Sequence, residues 1–160
     1  MDLKTILKKE LIFFSDLSKK RDNLEALIGL IDRENLVENV GLLRTSVFSR
    51  EELMSTGIGL GIAVPHVRIG GVKDIMIAIG INKHGIEDYD TLDGEPVRIV
   101  IMIVAGEEQH REYLLLLSQI VKILKKNSMI EKLLNTQKAS EVVGLIADNF
   151  SNNHPPGNSA

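Results

Sequence analysis

The chain of 160 residues contains no cysteine and no tryptophan. Without cysteine there is no disulfide bond, no thiolate nucleophile and no cysteine-based zinc site, which fits a reducing compartment. Aromatic residues make up only 4% of the sequence, although 44% of its residues are hydrophobic. The core must therefore be mainly aliphatic, and the composition is that of one ordinary globular domain.

The sequence also lacks an excess of positive charge and any long apolar run. Its formal net charge is -3 at pH 7, which gives no general attraction to nucleic acid. The longest apolar runs, such as Ile99 to Ala105, are far too short to cross a bilayer, and the N-terminus has no apolar signal-peptide region. We therefore expect a cytoplasmic protein that neither binds nucleic acid nor inserts directly into a membrane.

The hydrophobic period changes along the chain. Stripes typical of amphipathic helices lie at 19–32, 35–43, 46–54, 113–126, 128–134 and from about 140 onward. Short β-branched runs typical of buried strands lie at 62–64, 75–81 and 97–104, with a further short strand near 86–89. Glu51 and Glu52 are expected on the exposed side of the third helix. This order predicts an α/β domain with one sheet flanked by helices on both faces.

Several smaller features complete the predicted organisation. Residues 3–7 indicate a short opening helix, whereas the apolar stretch at 11–17 is of uncertain type. Ser128 followed by Glu131 is a capping-box pattern, and Ser140 is a candidate cap for the last helix. Residues 1–150 form the expected domain, and the asparagines, prolines and glycine of 151–160 predict a disordered tail.

A glycine-rich, otherwise apolar segment leads into one histidine, His66. Its glycines permit close approach of the backbone and unusual dihedral angles, and they lie at positions 57, 59 and 61. A short buried strand at 62–64 and the rigid Pro65 follow, so the segment presents His66 in a fixed place. The glycine spacing does not match a dinucleotide loop, because Ile62 stands where that fingerprint requires glycine.

These residues resemble the enzyme IIA domains of the bacterial phosphoenolpyruvate sugar phosphotransferase system, of the fructose/mannitol type, including their nitrogen-regulatory relatives. The resemblance rests on Arg50-Glu51, on the segment from Ser55 to His66, and on His110 just before a leucine-rich helix. It extends from about residue 1 to residue 149. It implies a mixed parallel and antiparallel sheet of about five strands.

The resemblance also implies roles for three catalytic residues. His66 is the phosphorylated histidine, and the neutral imidazole has a lone pair that suits attack on phosphorus. His110 corresponds to the second active-centre histidine, at a helix start where backbone N–H groups favour an anion. Arg50 corresponds to the arginine that stabilises the phosphoryl group. Without the resemblance, His110 could equally be a histidine at a helix start that faces solvent. Arg50 could equally form a surface salt bridge.

Further residues are candidates for phosphate binding or partner contact. The Thr56 hydroxyl either bonds the imidazole or phosphate, or it terminates the preceding helix. Arg68 either contacts a partner's phosphate or faces solvent. The expected apolar docking rim around His66 consists of Ile58, Leu60, Val67 and Ile69.

The leading hypothesis is a phosphotransferase component that accepts phosphate from phospho-HPr on His66 and passes it to a IIB component for sugar uptake. It acts through a phosphohistidine and needs neither metal nor cofactor. The alternative is a regulatory enzyme IIA-like protein whose phosphorylation state at His66 controls partner proteins. A hydrolytic metal site at His66 and His110 is a third hypothesis, but no ligand spacing supports it.

Overall fold

The computed structural model describes residues 3–151, except for the side chains of Lys4 and Ser151. Of the predicted tail, only Ser151 falls within that range, as the last residue of the final helix, and 152–160 lie outside the described residues. The elements in chain order are α1 Leu3–Ile6, β1 Leu7–Phe14, α2 Lys20–Arg33, α3 Val40–Leu53, β2 Gly57–Gly59, β3 Ile62–Ala63, β4 His66–Ile69, β5 Met76–Ile86, β6 Val97–Gly106, α4 His110–Leu124, α5 Met129–Leu134 and α6 Ala139–Ser151.

The strands form one mixed sheet in the order β1-β5-β6-β3-β2, with β4 also paired to β6. β3 and β4 run parallel to β6 in a single register, with Ile62 opposite Ile99 and His66 opposite Ile103. Pro65 separates the two strands because it has no N–H to donate, although its carbonyl still accepts a bond from the Ile103 N–H at 2.9 Å. Six strands therefore occupy five positions, and the predicted mixed sheet of about five strands is confirmed.

Helices cover both faces of this sheet, as predicted. Along β5 and β6, odd-numbered residues such as Ile79 and Ile101 pack in the core formed with α4, α5 and α6. Even-numbered residues such as Ala78 and Met102 pack in the core formed with α2 and α3. Successive side chains of a strand point to opposite faces, so strands buried on both faces must be apolar throughout.

The region between α2 and β2 differs from the prediction. One helix, α3, replaces the two helices expected at 35–43 and 46–54. The chain leaves α2 through Asn35 at a positive φ of 56°, and Val37 then forms an isolated bridge with Val72. Asn39 caps α3 by accepting a hydrogen bond from the Leu42 N–H at 3.0 Å. Asparagine suits both the left-handed turn and the cap, so the predicted first helix starts too early.

The structure also assigns one local feature that the sequence left open, and it corrects three local predictions. The stretch of uncertain type at 11–17 contains the end of β1, which pairs in parallel with β5 at the sheet edge. Ser128 lies at a φ of 66° and its side chain caps nothing, so the capping box is not formed. Ser140 lies inside α6, which already begins at Ala139. The short strand expected near 86–89 is instead the end of β5, at Ile86.

Candidate active site

His66 lies at the start of β4 and is half-buried. Its Nδ1 lies 2.7 Å from the Val64 carbonyl oxygen, and its Nε2 lies 3.2 Å from Nη2 of Arg50. A carbonyl only accepts and a guanidinium only donates, so Nδ1 carries the hydrogen and Nε2 offers its lone pair. The ring is thus held in one neutral tautomer with Nε2 directed toward a cationic group.

The segment before His66 is a tight hairpin of β2 and β3. Its turn contains Gly59, Leu60 and Gly61, with φ angles of 91°, 60° and 77°. Such angles are uncommon for leucine, and the Leu60 N–H is held by Oδ2 of Asp93 at 2.9 Å. Gly57 runs against the loop after β5, where a Cβ would lie 2.7 Å from Cγ2 of Thr91. The glycines of the motif therefore serve the turn and this close approach.

His66 opens onto a surface cleft of about 410 Å³. Arg50 from α3, Arg68 from β4 and His110 from α4 line the same cleft as His66. His110 is the first residue of α4, where the helix N-terminus favours an anion. The fold thus brings together the three predicted catalytic residues and Arg68. The complete lining is Ser46, Arg50, His66, Val67, Arg68, His110, Tyr113, Leu114 and Leu117.

The surroundings of His66 keep its imidazole uncharged. Burial is the main cause that lowers the pKa of His66 below 6.5, and the Arg50 guanidinium lowers it further. The hydrogen bond to the Val64 carbonyl and the charge of Glu51 oppose this shift. At neutral pH the ring is therefore uncharged beside a permanent cation.

Tyr113 is a cleft residue that the sequence analysis did not include in the site. Its ring centroid lies 5.6 Å from that of His66, with the rings tilted by 44°. The Arg68 guanidinium carbon lies 5.9 Å from the same Tyr113 ring, while Arg68 Nη1 donates to the Glu107 carbonyl at 2.9 Å. The spacing in the sequence could have indicated this placement. Tyr113 lies three residues after His110, and residues i and i+3 of a helix share one face.

Thr56 and Glu51 are placed differently from the prediction. Thr56 is buried, and its Oγ1 donates to Oε1 of Glu51 at 2.8 Å. Its only hydroxyl hydrogen is thereby engaged, so Thr56 has no donor left for phosphate or imidazole. Glu51 is 6% exposed, not solvent-facing, because the chain after α3 folds back over it and supplies this bond.

The predicted docking rim is only partly at the surface. Val67 and Ile69 are buried in the core on the α2 and α3 side, since they alternate with His66 and Arg68 along β4. Their side chains therefore offer almost no surface to a partner, although Val67 also contributes to the lining of the cleft. Ile58 is half-buried, and Leu60 is 58% exposed at the hairpin turn.

Among residues 3–151, no group of three or more histidine, cysteine, aspartate or glutamate side chains is placed to hold a metal ion. Over the same range, no helix is both long and apolar enough to cross a membrane. The hypothesis of a metal centre at His66 and His110 therefore gains no support from a ligand set.

Fold and site together define an α/β domain with a cleft that contains His66 and is lined by Arg50 and Arg68. The chain belongs to the family "Phosphoenolpyruvate-dependent sugar phosphotransferase system, EIIA 2", whose model matches residues 5–149. This establishes the resemblance stated from the motifs, over nearly the same range.

Individual relatives represent a transport branch and a regulatory branch. The chain is 30% identical over 147 residues to the "PTS system fructose-specific EIIABC component" of Bacillus subtilis, covering 91% of this chain but only 23% of that protein. Its fold matches the nitrogen regulatory protein IIA-Ntr of Neisseria meningitidis with a TM-score of 0.81, at 29% identity over 88% of this chain and 96% of that one. A solved complex of enzyme IIAMTL with phosphorylated enzyme IIBMTL from Escherichia coli shares the fold, with a TM-score of 0.70 at 24% identity, over 89% of this chain and 97% of that one.

Proposed function

We propose that the protein is a phosphoryl carrier that uses Nε2 of His66 as its nucleophile. The lone pair of Nε2 attacks the phosphorus of a phosphohistidine on an HPr-type donor protein. An N–P bond forms at His66 while the donor's N–P bond breaks, and the bonding electron pair returns to the donor's ring nitrogen. The observation that carries this proposal is the Nδ1 bond to the Val64 carbonyl at 2.7 Å, which leaves Nε2 as the free nitrogen.

The cationic cleft stabilises the phosphoryl group during and after transfer. Arg50, which lies 3.2 Å from Nε2 in the resting site, donates to the phosphoryl oxygens once Nε2 is bonded to phosphorus. Arg68 and the start of α4 at His110, which line the same cleft, add positive potential. Charge stabilisation and positioning are sufficient for in-line transfer between side chains, so no metal is required.

An apolar patch beside the cleft is the proposed docking surface for donor and acceptor proteins. Ser55 Oγ donates to the Asp90 carbonyl at 2.5 Å, and the Leu60 N–H to Asp93, so the loop after β5 lies along the hairpin. This arrangement exposes four large apolar side chains, which in a monomer is typical of an interaction site: Leu53 by 85%, Met54 by 76%, Leu60 by 58% and Leu92 by 86%.

The proposed acceptor is a IIB component. The Escherichia coli complex pairs a domain of this fold with a phosphorylated enzyme IIB, and the Bacillus subtilis relative is named as an EIIABC component. In the transfer from the donor protein and in the transfer to the acceptor protein, the phosphoryl group passes between a side chain of the partner and His66. The specific sugar is determined elsewhere, because the proposed carrier never contacts it.

A regulatory carrier is the second candidate. The Neisseria meningitidis structure, which this chain matches over 96% of that chain's length, is a nitrogen regulatory protein. The same His66 chemistry applies in that case, but the phosphorylation state controls a partner and the group is not passed to a IIB component. Discharge of the phosphorylated protein by a panel of IIB components separates the two: efficient discharge supports transport, and no discharge supports regulation.

The carrier proposal is tested by labelling the protein with radioactive phosphoenolpyruvate, enzyme I and HPr. We expect acid-labile label on His66, and no label on the His66→Ala variant. The His84→Ala variant, changed at an exposed histidine outside the cleft, should label like the unmodified protein. Full labelling of His66→Ala would reject the proposal.

A further inference from the structure

One buried carboxylate near the cleft has no part in the proposed transfer. Glu51 is 6% exposed and follows Arg50 in the last turn of α3. Its Oε2 accepts from the Thr56 N–H at 3.0 Å, and its Oε1 accepts from the Thr56 hydroxyl at 2.8 Å and from the Tyr89 hydroxyl. The Nζ of Lys20 lies 3.6 Å from Oε1. A carboxylate with this many partners is held in one position.

A chain of hydrogen bonds connects Glu51 to one nitrogen of the His66 ring. The Thr56 carbonyl accepts from the Val64 N–H at 3.1 Å. The Val64 carbonyl in turn accepts from Nδ1 of His66 at 2.7 Å. Fixing Thr56 therefore fixes the residue that selects the tautomer of His66.

The other ring nitrogen is linked to Glu51 through its sequence neighbour. Arg50 places Nη2 3.2 Å from Nε2 of His66, and Arg50 is adjacent to Glu51 in α3. The carboxylate thus reaches Nδ1 through hydrogen bonds, and the residue that contacts Nε2 is its neighbour in α3. The two bonds from Thr56 to Glu51 join α3 to the segment 56–64.

We infer that Glu51 is a positioning residue for phosphoryl transfer, which joins α3 to the segment 56–64 and so holds His66 in its Nδ1–H tautomer against Arg50. This inference rests on the proposed function. In water, neutral histidine prefers the opposite tautomer, with hydrogen on Nε2. If the Val64 carbonyl no longer holds the hydrogen on Nδ1, the other tautomer of His66 becomes populated. That tautomer has no lone pair on Nε2 and cannot attack phosphorus through this nitrogen.

The test compares Glu51→Gln with Glu52→Gln, which makes the same change of charge at the exposed next residue. Imidazole ¹⁵N NMR on the unphosphorylated protein reports the tautomer, and labelling by phospho-HPr reports the rate. We expect Glu51→Gln to show a mixture of tautomers and a rate lower by about tenfold to 100-fold. Glu52→Gln should match the unmodified protein in both measurements. Retention of the Nδ1–H tautomer in Glu51→Gln, whatever the rate, would overturn the inference.

Two more variants distinguish positioning from general loosening. Tyr89→Phe removes one bond to Glu51 but keeps both Thr56 bonds, so we expect the Nδ1–H tautomer to persist. Thr56→Val removes the hydroxyl bond to Glu51, and should shift the tautomer in the same direction as Glu51→Gln. Thr56→Val also decides the question if Glu51→Gln does not fold, since an unchanged tautomer would then refute the inference.

The tautomer measurement needs no phosphoryl donor. Failure of the unmodified protein to label at His66 would refute the carrier proposal. A normal tautomer in Glu51→Gln would refute the inference alone.

Discussion

At the scale of single residues, the site depends on one nitrogen atom being available. The Val64 carbonyl holds the hydrogen on Nδ1, and Arg50 lies beside Nε2. A permanent cation next to an imidazole disfavours protonation of the ring. The same guanidinium suits phosphate oxygens through its planar pair of donors. Arg50 thus helps to keep His66 neutral, and in the proposed transfer it also stabilises the phosphoryl group.

The pH dependence of His66 tests this arrangement. Because burial and Arg50 lower its pKa below 6.5, we expect the NMR titration midpoint of His66 to lie below that value. The unfolded chain takes up the proton at a higher pH than the folded one. His66 therefore adds to stability above pH 6.5, and this contribution falls as pH decreases.

Replacement of Arg50 gives that prediction its control. Arg50→Ala removes a charge that lowers the pKa of His66, so its titration midpoint should move upward. Arg50→Lys keeps the charge and should leave the midpoint near that of the unmodified protein. A midpoint that does not move in Arg50→Ala would contradict the electrostatic role of Arg50. The other titratable or charged groups near the ring, which stay unchanged in both variants, are Glu51, Arg68, His110 and Tyr113.

At the scale of elements, the hairpin of β2 and β3 controls how His66 is presented. Its strands are very short, and β2 and β3 pair through Gly57 with Ala63 and Gly59 with Ile62. The loop after β5 reinforces them through Thr91, which bridges Gly57, and through Asp93. The hairpin therefore depends on contacts with a segment about thirty residues away in sequence.

Gly57→Ala tests that dependence. The new Cβ would lie 2.7 Å from Cγ2 of Thr91 and closer still to the Asp90 carbonyl oxygen, so the strand must shift. We expect a loss of about 1–3 kcal/mol in the free energy of unfolding, measured by chemical denaturation, and slower labelling of His66.

The matched control is Gly29→Ala in α2, where a Cβ meets nothing within 4 Å. Alanine favours the helix, so this variant should gain about 0.5–1 kcal/mol. Equal effects of the two substitutions would show that the close approach at Gly57 has no energetic importance.

At the scale of the whole molecule, the topology explains how distant residues meet. β4 and β6 are parallel neighbours, with His66 opposite Ile103 and Ile69 opposite Gly106. β6 ends there, and α4 begins shortly afterwards at His110 and packs back over β4 through Tyr113. A strand followed by a helix that returns across the sheet brings the helix start to the end of its neighbouring strand. The cleft lies at that junction.

The last prediction concerns the proposed docking patch, which combines residues from separate segments of the chain. Leu60→Ser combined with Leu92→Ser should raise the KM for phospho-HPr at least about tenfold, which corresponds to about 1.4 kcal/mol of lost binding. The stability should change little because both side chains are exposed. The assay is the initial rate of labelling as a function of HPr concentration.

Phe14→Ser is the control for this experiment. Phe14 is 40% exposed and lines a separate cleft with Ser15 and Thr136, so its replacement should leave the KM unchanged. An equal rise in KM for Phe14→Ser would indicate a general effect of lost apolar surface, and would count against the docking patch.

The sequence by itself predicted the class of fold and marked His66 as the candidate nucleophile. The glycines, the short strand and Pro65 act on their immediate neighbours, so the presentation of His66 was readable from a continuous segment. The alternation of helical and strand periods likewise predicted one sheet between two helical layers, and the resemblance implied that the sheet is mixed. His110 and Arg50 were assigned through resemblance, and the fold places both in the cleft.

Only the tertiary structure decided which side chains reach that cleft. The chain after α3 folds back, so that Thr56 and Glu51 contact each other and Tyr89 instead of lining the phosphate site. Strand alternation places Val67 and Ile69 in the core. Tyr113 joins the site because α4 packs over β4. Such placements depend on contacts between segments far apart in sequence, whereas local patterns carry information only about neighbours along the chain.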